Sequence, residues 1–110
     1  MSNHTKHFVI FASYFLKYFL FVHRVLIALL LIIVLGGVAI AYLEDLPFGD
    51  SIYFAFITGL TIGYGDIQPV TAWGRVVSIV IGIVGLIFTG MTIAIATRAL
   101  ASTAEDLKAK

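Results

Sequence analysis

Cysteine is absent from this 110-residue chain, proline occurs twice and tryptophan once, and seven basic and six acidic residues make up all its formal charge. Without cysteine there are no disulfides, no thiolate nucleophile and no cysteine-based metal site. A net charge of +1 provides no field for nucleic acid or for an acidic ligand. Charged residues are 12% of the chain, about half the share that covers a soluble domain. Also missing are a Ser/His/Asp set, zinc-ligand spacing and a phosphate-binding loop. "GYGDIQ" opens like a dinucleotide fingerprint but lacks its third glycine and its strand–turn–helix setting. No enzyme activity, organic cofactor or nucleic-acid partner is expected.

What is present is hydrocarbon: 61% hydrophobic residues and a mean hydropathy of +1.08. Arg24 and Glu44 bracket 19 uncharged residues, Val25 to Leu43, and Arg75 and Arg98 bracket 22 more, Val76 to Thr97. About 20 apolar residues at ~1.5 Å each cross a hydrocarbon layer of roughly 30 Å, so both runs predict spanning helices. Between Asp50 and Asp66 lie 15 uncharged residues, too few to cross as a helix. This stretch predicts a segment that enters part-way and returns: a short helix over Ser51–Leu60 with Asp50 as its N-cap, then non-helical backbone. Irregular backbone survives at membrane depth only when buried in protein or lining a polar cavity. A chain this short encloses such a path only as an oligomer.

Ahead of the first span, Phe8–Val22 is apolar but interrupted by Lys17. On a helix, Lys6, Ser13, Lys17 and Arg24 fall in a stripe about 40° wide. That suits a helix lying in the headgroup region of a lipid bilayer with its cations turned to water. A third span is the rival reading; a signal peptide fits less well, because the charge falls inside the apolar run. Lys17 and Arg24 are the expected interfacial anchors on one side, and Trp73, with Tyr42 nearby, on the other. Basic residues gather at both chain ends while Glu44, Asp45, Asp50 and Asp66 face Arg75 in the loop, which predicts two cytoplasmic termini and an external loop.

The centre of that loop is "TIGYGD", Thr61–Asp66. Desolvating a small ion costs tens of kcal/mol by Born-type reckoning, so a path for ions must replace the lost water. Backbone carbonyls do this when several face the same way, which requires residues that reach left-handed dihedrals. Gly63 and Gly65 reach them at low steric cost, Thr61 adds a hydroxyl oxygen, and Ile62 and Tyr64 turn their side chains away and pack behind. The preceding helix aims its partially negative end at the bilayer centre.

These residues resemble the selectivity filter of potassium channels. The order of outer helix, pore helix, filter and inner helix is similar to the two-transmembrane prokaryotic channels, and "TIGYGDIQPVTAWGR" looks most like the proton-gated and calcium-gated members. Ile62 stands where many members carry valine, although inward rectifiers also read "TIGYG". The resemblance implies an all-α membrane protein forming a homotetrameric pore. Residues 1–24 would be the interfacial helix and residues 25–100 the pore domain: outer helix 25–43, pore helix 51–60, filter 61–66 and inner helix 73–100. Residues 101–110 would be a cytoplasmic tail too short for a regulatory domain. It further implies K+ ions held by Thr61, Ile62, Gly63, Tyr64 and Gly65, with Rb+ as a surrogate and Ba2+ as a blocker, in a prokaryotic inner (plasma) membrane.

The same resemblance sets Asp66 beside Tyr53 as filter support, with a solvated acid at the pore mouth as the alternative. Ile57 replaces the glutamate that couples to the filter aspartate in the proton-gated relative, so that contact is not available here. Gly85 matches the family's gating hinge; the alternative is a small residue admitting close helix approach. Thr89, Ile93 and Thr97 match positions lining the cavity and inner mouth, unless the hydroxyls bond back to their own helix. Neither span carries an arginine ladder. His4, His7 and His23 lie on the side expected to be cytoplasmic, as candidates for proton sensing or as spectators. Two other functions compete: a poorly selective cation pore and a non-conducting membrane scaffold.

Overall fold

The computed structural model describes residues 3–109. Among them it is purely helical, in the order α1 (Asn3–Glu44), α2 (Phe48–Gly59) and α3 (Ala72–Ala109). The boundary expected between residues 24 and 25 is not a break in the backbone. With no glycine or proline before Gly36, nothing in the sequence stops the helix there. α1 ends where Asp45 takes φ 53°, a left-handed conformation that aspartate tolerates, and Leu46 N–H donates to the Ala41 carbonyl at 3.2 Å. α2 starts three residues earlier than the expected Ser51. Pro47 occupies its N-cap position with no side-chain cap, so the expected capping role of Asp50 is corrected: Asp50 lies inside the first turn. Its charge suits the positive end of the helix from there. α3 is capped by Thr71, whose Oγ1 accepts from Gly74 N–H at 3.0 Å. It stays helical well past residue 100, through the expected tail; Lys110 lies outside the described residues.

The chain divides into two compact units, residues 25–90 and residues 3–24 with 91–109. In the first, Ile33, Ile40, Phe54, Ala55 and Ile81 form a buried cluster, with Leu46, Ile67, Val77 and Val84 packed against it. Lipid is as apolar as leucine, so such helices hold together through close packing and small residues. Gly37 provides this on α1: a methyl there would lie 2.9 Å from Ala55 Cβ and 3.0 Å from Ile52 Cδ1. Further along, Gly59 meets Ile33 on α1 and Gly85 on α3. α2 therefore runs antiparallel to α1 and stops level with the middles of both uncharged runs. From there the chain returns to the Glu44 end, where Val70 and Thr71 are held.

In the second unit, Ile95, Ala99 and Thr103 of α3 are buried and recur every four residues along one helix face. The Tyr18 and Ser102 hydroxyls meet at 2.6 Å, tying α1 to α3.

Candidate functional site

The return path begins with the backbone of α2 turning on itself. Ile62 N–H and Gly63 N–H both donate to the Ile57 carbonyl, at 2.9 and 3.1 Å, and Thr61 N–H donates to Thr58 at 3.2 Å. Positive φ then falls on alternate residues: Thr61 at 62°, Gly63 at 60° and Gly65 at 80°. Ile62 and Tyr64 stay negative. In an extended strand successive carbonyls point to opposite sides; alternating the hand of the dihedrals undoes that. The glycines adopt these values freely, but a β-branched threonine there is an outlier, and composition did not anticipate it. Thr61 Oγ1 donates to the Leu60 carbonyl at 2.6 Å, which leaves its own oxygen lone pairs available. The carbonyls of Thr61 to Tyr64 accept no hydrogen bond among the described residues, and all five residues from Thr61 to Gly65 are exposed in the single chain.

Among the described residues no three His, Cys, Asp or Glu side chains group as metal ligands. An ion meeting this segment would find neutral oxygens, and behind them the carbonyl end of α2 with its partial negative charge.

The outer end of the path is held by one carboxylate. Glu44 Oε1 accepts from Val70 N–H at 2.6 Å and Oε2 from Thr71 N–H at 2.9 Å and from the Thr71 hydroxyl. These bonds, the Thr71 hydroxyl first, with the charge of Arg75 as a smaller aid, hold the Glu44 carboxyl below its ordinary pKa. Gly74 keeps the space: a methyl there would strike the Glu44 carboxylate. Arg75 Nε donates to the Pro69 carbonyl at 3.3 Å, and Gln68 Nε2 to the Gly65 carbonyl at 3.3 Å. Asp66 stands close enough to Tyr53 to raise the phenol's pKa, through hydrogen bonding with the carboxylate first and its charge after desolvation.

On α3, Gly85 is buried with the Gly59 backbone directly against it, a close approach that only glycine permits. Thr89 is half-buried and Ile93 is exposed, while the Thr97 hydroxyl donates to the Ile93 carbonyl at 2.8 Å. Trp73 is exposed at the start of α3; Lys17 and Arg24 are exposed on α1.

Four contributors carried no specific signal beforehand: Glu44, Thr71, Gln68 and Gly59. For two of them a pattern was available, since Thr-x-x-Gly opens α3 as a cap and an acid at a span's end is placed to meet the next helix start. The Gly59–Gly85 approach depends on two elements meeting, which no local pattern encodes.

The model of a family described as "Ion channel" matches residues 27–102, well over half of the chain. Among curated proteins, the chain is 41% identical over 51 residues to the intermediate conductance calcium-activated potassium channel protein 4 of Rattus norvegicus, covering 46% of this chain and 12% of that protein. It is 41% identical over 46 residues to two-pore potassium channel 5 of Arabidopsis thaliana, 42% of this chain and 11% of that one. It is also 45% identical over 51 residues to TWiK family of potassium channels protein 9 of Caenorhabditis elegans, 46% and 9%. The matched stretch thus spans about a tenth of each relative's length. No solved structure matches.

Proposed function

We propose, on the premise that the chain belongs to this ion-channel family, that it is a potassium-selective channel conducting passively through a ring of backbone oxygens. It is an integral membrane protein: α1 and α3 are long and apolar enough to cross a bilayer, and the family is one of channels rather than enzymes. Three similar proteins bear potassium in their names.

The observation that carries the proposal is the exposure of Thr61–Gly65 at the level where α2 ends between Ile33 and Gly85. Unpaired carbonyls facing lipid at that depth cost several kcal/mol each. Further copies of the chain around a shared axis remove that cost and turn the oxygens toward a common centre. The proposed assembly is a homotetramer, with K+ in the filter held by the carbonyls of Thr61 to Tyr64 and the Thr61 hydroxyl, and Gly65 completing the turn. Asp66 and Tyr53 support it from behind. Thr89 and Ile93 line the inner cavity in this reading, Thr97 having its hydroxyl turned back to its own helix, and both termini lie in the cytoplasm of a prokaryotic cell, with residues 3–24 near the interface.

The test is flux through proteoliposomes. Expected are K+ and Rb+ passage, exclusion of Na+ and block by Ba2+. Equal Na+ flux would point to an unselective cation pore, and no flux from a verified tetramer to a scaffold; either would refute the proposal.

A further inference from the structure

At the Glu44 end of the unit of residues 25–90, a hollow of about 400 Å3 opens between α1 and the start of α2, lined by Val38, Ala41, Tyr42, Asp45, Leu46 and Phe48. Val38, Ala41 and Tyr42 recur at helical spacing along one face of α1, and Asp45 follows just past its end. The turn into α2 adds Leu46 and Phe48. Tyr42 is 85% exposed and Phe48 63%. A tyrosine at this level is what the edge of a bilayer favours, but that accounts for neither a second ring nor a carboxylate on the same hollow. The carboxylate has no counter-charge. Among the described residues Asp45 makes no hydrogen bond or ion pair, whereas Glu44 beside it is taken up by Val70 and Thr71. Arg75 is the one lysine or arginine between Arg24 and Arg98, and its Nε donates to the Pro69 carbonyl.

We propose that this hollow binds a small organic cation, an alkylated ammonium, with its charge at Asp45, its flanks against the Tyr42 and Phe48 rings, and its alkyl groups on Val38, Ala41 and Leu46. Aromatic rings attract a cation electrostatically, and alkyl groups on the nitrogen gain from apolar walls that a hydrated metal ion cannot use. A bare metal ion needs several oxygen ligands, and among the described residues no acidic or histidine side chains group that way. A choline-headed lipid is a poorer occupant, because its phosphate would be brought up to the Asp45 carboxylate. A second copy of the chain offers this end only Arg75, already engaged. No residue of Thr61–Gly65 lines the hollow, so the proposal goes beyond ion conduction and does not depend on it.

The probe is a nitroxide carrying a trimethylammonium group, added to the isotope-labelled full chain in an uncharged sugar detergent, with paramagnetic broadening read on backbone amides. The amides of Ala41, Asp45, Leu46 and Phe48 are expected to broaden more with this probe than with the same nitroxide carrying a neutral hydroxyl. Tetramethylammonium chloride should reverse the broadening, and phosphatidylcholine should not. Asp45→Asn, Tyr42→Leu and Phe48→Leu should each weaken binding about two- to fivefold, the range of one exposed charge pair or ring contact. Tyr42→Phe, which keeps the ring, should retain it. Asp50→Asn, which removes an acid off the hollow, should leave it unchanged and so separates a site from a general negative field. Equal broadening by the two nitroxides would overturn the proposal, as would indifference to the Asp45, Tyr42 and Phe48 variants or an equal loss in Asp50→Asn. So would displacement by phosphatidylcholine and not by tetramethylammonium, which would mark a lipid contact. Broadening needs no ion flux, so a chain that passes no ion still tests the hollow.

Discussion

Gly85→Ala puts a methyl group where the Gly59 backbone already lies. The added carbon would sit 2.5 Å from both the carbonyl carbon and the Cα of Gly59, against about 3.5–4.0 Å for a comfortable carbon pair. Backbone cannot rotate aside as a side chain can, and the Gly59 carbonyl oxygen lies closer still, so α3 and α2 must separate by more than about 1 Å, disturbing the point where the return path begins. Overpacking of this kind costs about 1–3 kcal/mol, and alanine's better helix propensity returns up to about 1 kcal/mol. Gly82 and Gly90 have nothing within 4 Å of an added methyl, so Gly82→Ala and Gly90→Ala should be neutral or slightly stabilising. The expected gap between Gly85→Ala and these two is about 2 kcal/mol, roughly 30-fold in the folded-to-unfolded ratio. Unfolding in graded SDS, followed by emission of the single tryptophan, Trp73, measures it. A Gly85→Ala protein as stable as Gly82→Ala would refute the packing argument. If such a protein also opened less readily, the hinge role implied by family resemblance would stand in its place.

Glu44→Gln replaces one acceptor oxygen with a donor that faces the Thr71 N–H and hydroxyl; faster amide hydrogen exchange at Val70 and Thr71 is expected, and unchanged protection would rule out the tether. Because the folded Glu44 pKa lies below its ordinary value of 4.5, the tether's contribution is complete above that value and fades only as pH falls through the lower one. Acid-induced changes near pH 6 should therefore survive in Glu44→Gln. Tyr53 is raised above its ordinary 10.0, so its protonated form contributes fully below that value and is lost as pH climbs through the higher one. Tyr53→Phe should speed filter inactivation in single-channel recordings, and indistinguishable kinetics would remove Asp66 as its partner. Gly63→Ala forces an L-residue to φ 60° at about 1–2 kcal/mol per subunit; loss of K+ over Na+ discrimination in flux assays is the expected result, and retained discrimination would argue against the alternating backbone as its source.

The two long helices and the short one between them were legible because charges bracket the uncharged runs and because Gly63 and Gly65 have few structural uses at that spacing. Boundaries were less legible. Arg24 ends one of the two compact units, as a charge at the edge of an uncharged run suggests, but charge does not stop a helix, and α1 continues through it. Asp50 looked like a cap on residue type alone, whereas Pro47 already fixes the turn one residue before the helix begins. Gly85 reads from sequence as a hinge or as a small residue admitting close helix approach, but the neighbour it admits, Gly59, lies 26 positions away in sequence. Thr61 could not be anticipated in a left-handed conformation, since its intrinsic preference opposes it; it takes the position just past the end of α2 that glycine usually fills, closed locally by Ile62 N–H to Ile57 and Thr61 N–H to Thr58.

Those bonds have a consequence for how the return path can yield. At its inner end the segment is moored twice on one oxygen, by Ile62 and Gly63 to Ile57, and at its far end Val70 and Thr71 are moored to Glu44. A cord fastened at both ends has slack only in its middle, and here the middle is Tyr64 to Pro69, braced by single bonds from Gln68 and Arg75. On the proposed function, any collapse that stops ions should therefore start in the half of the path nearer Glu44, while the half that follows α2 keeps its form.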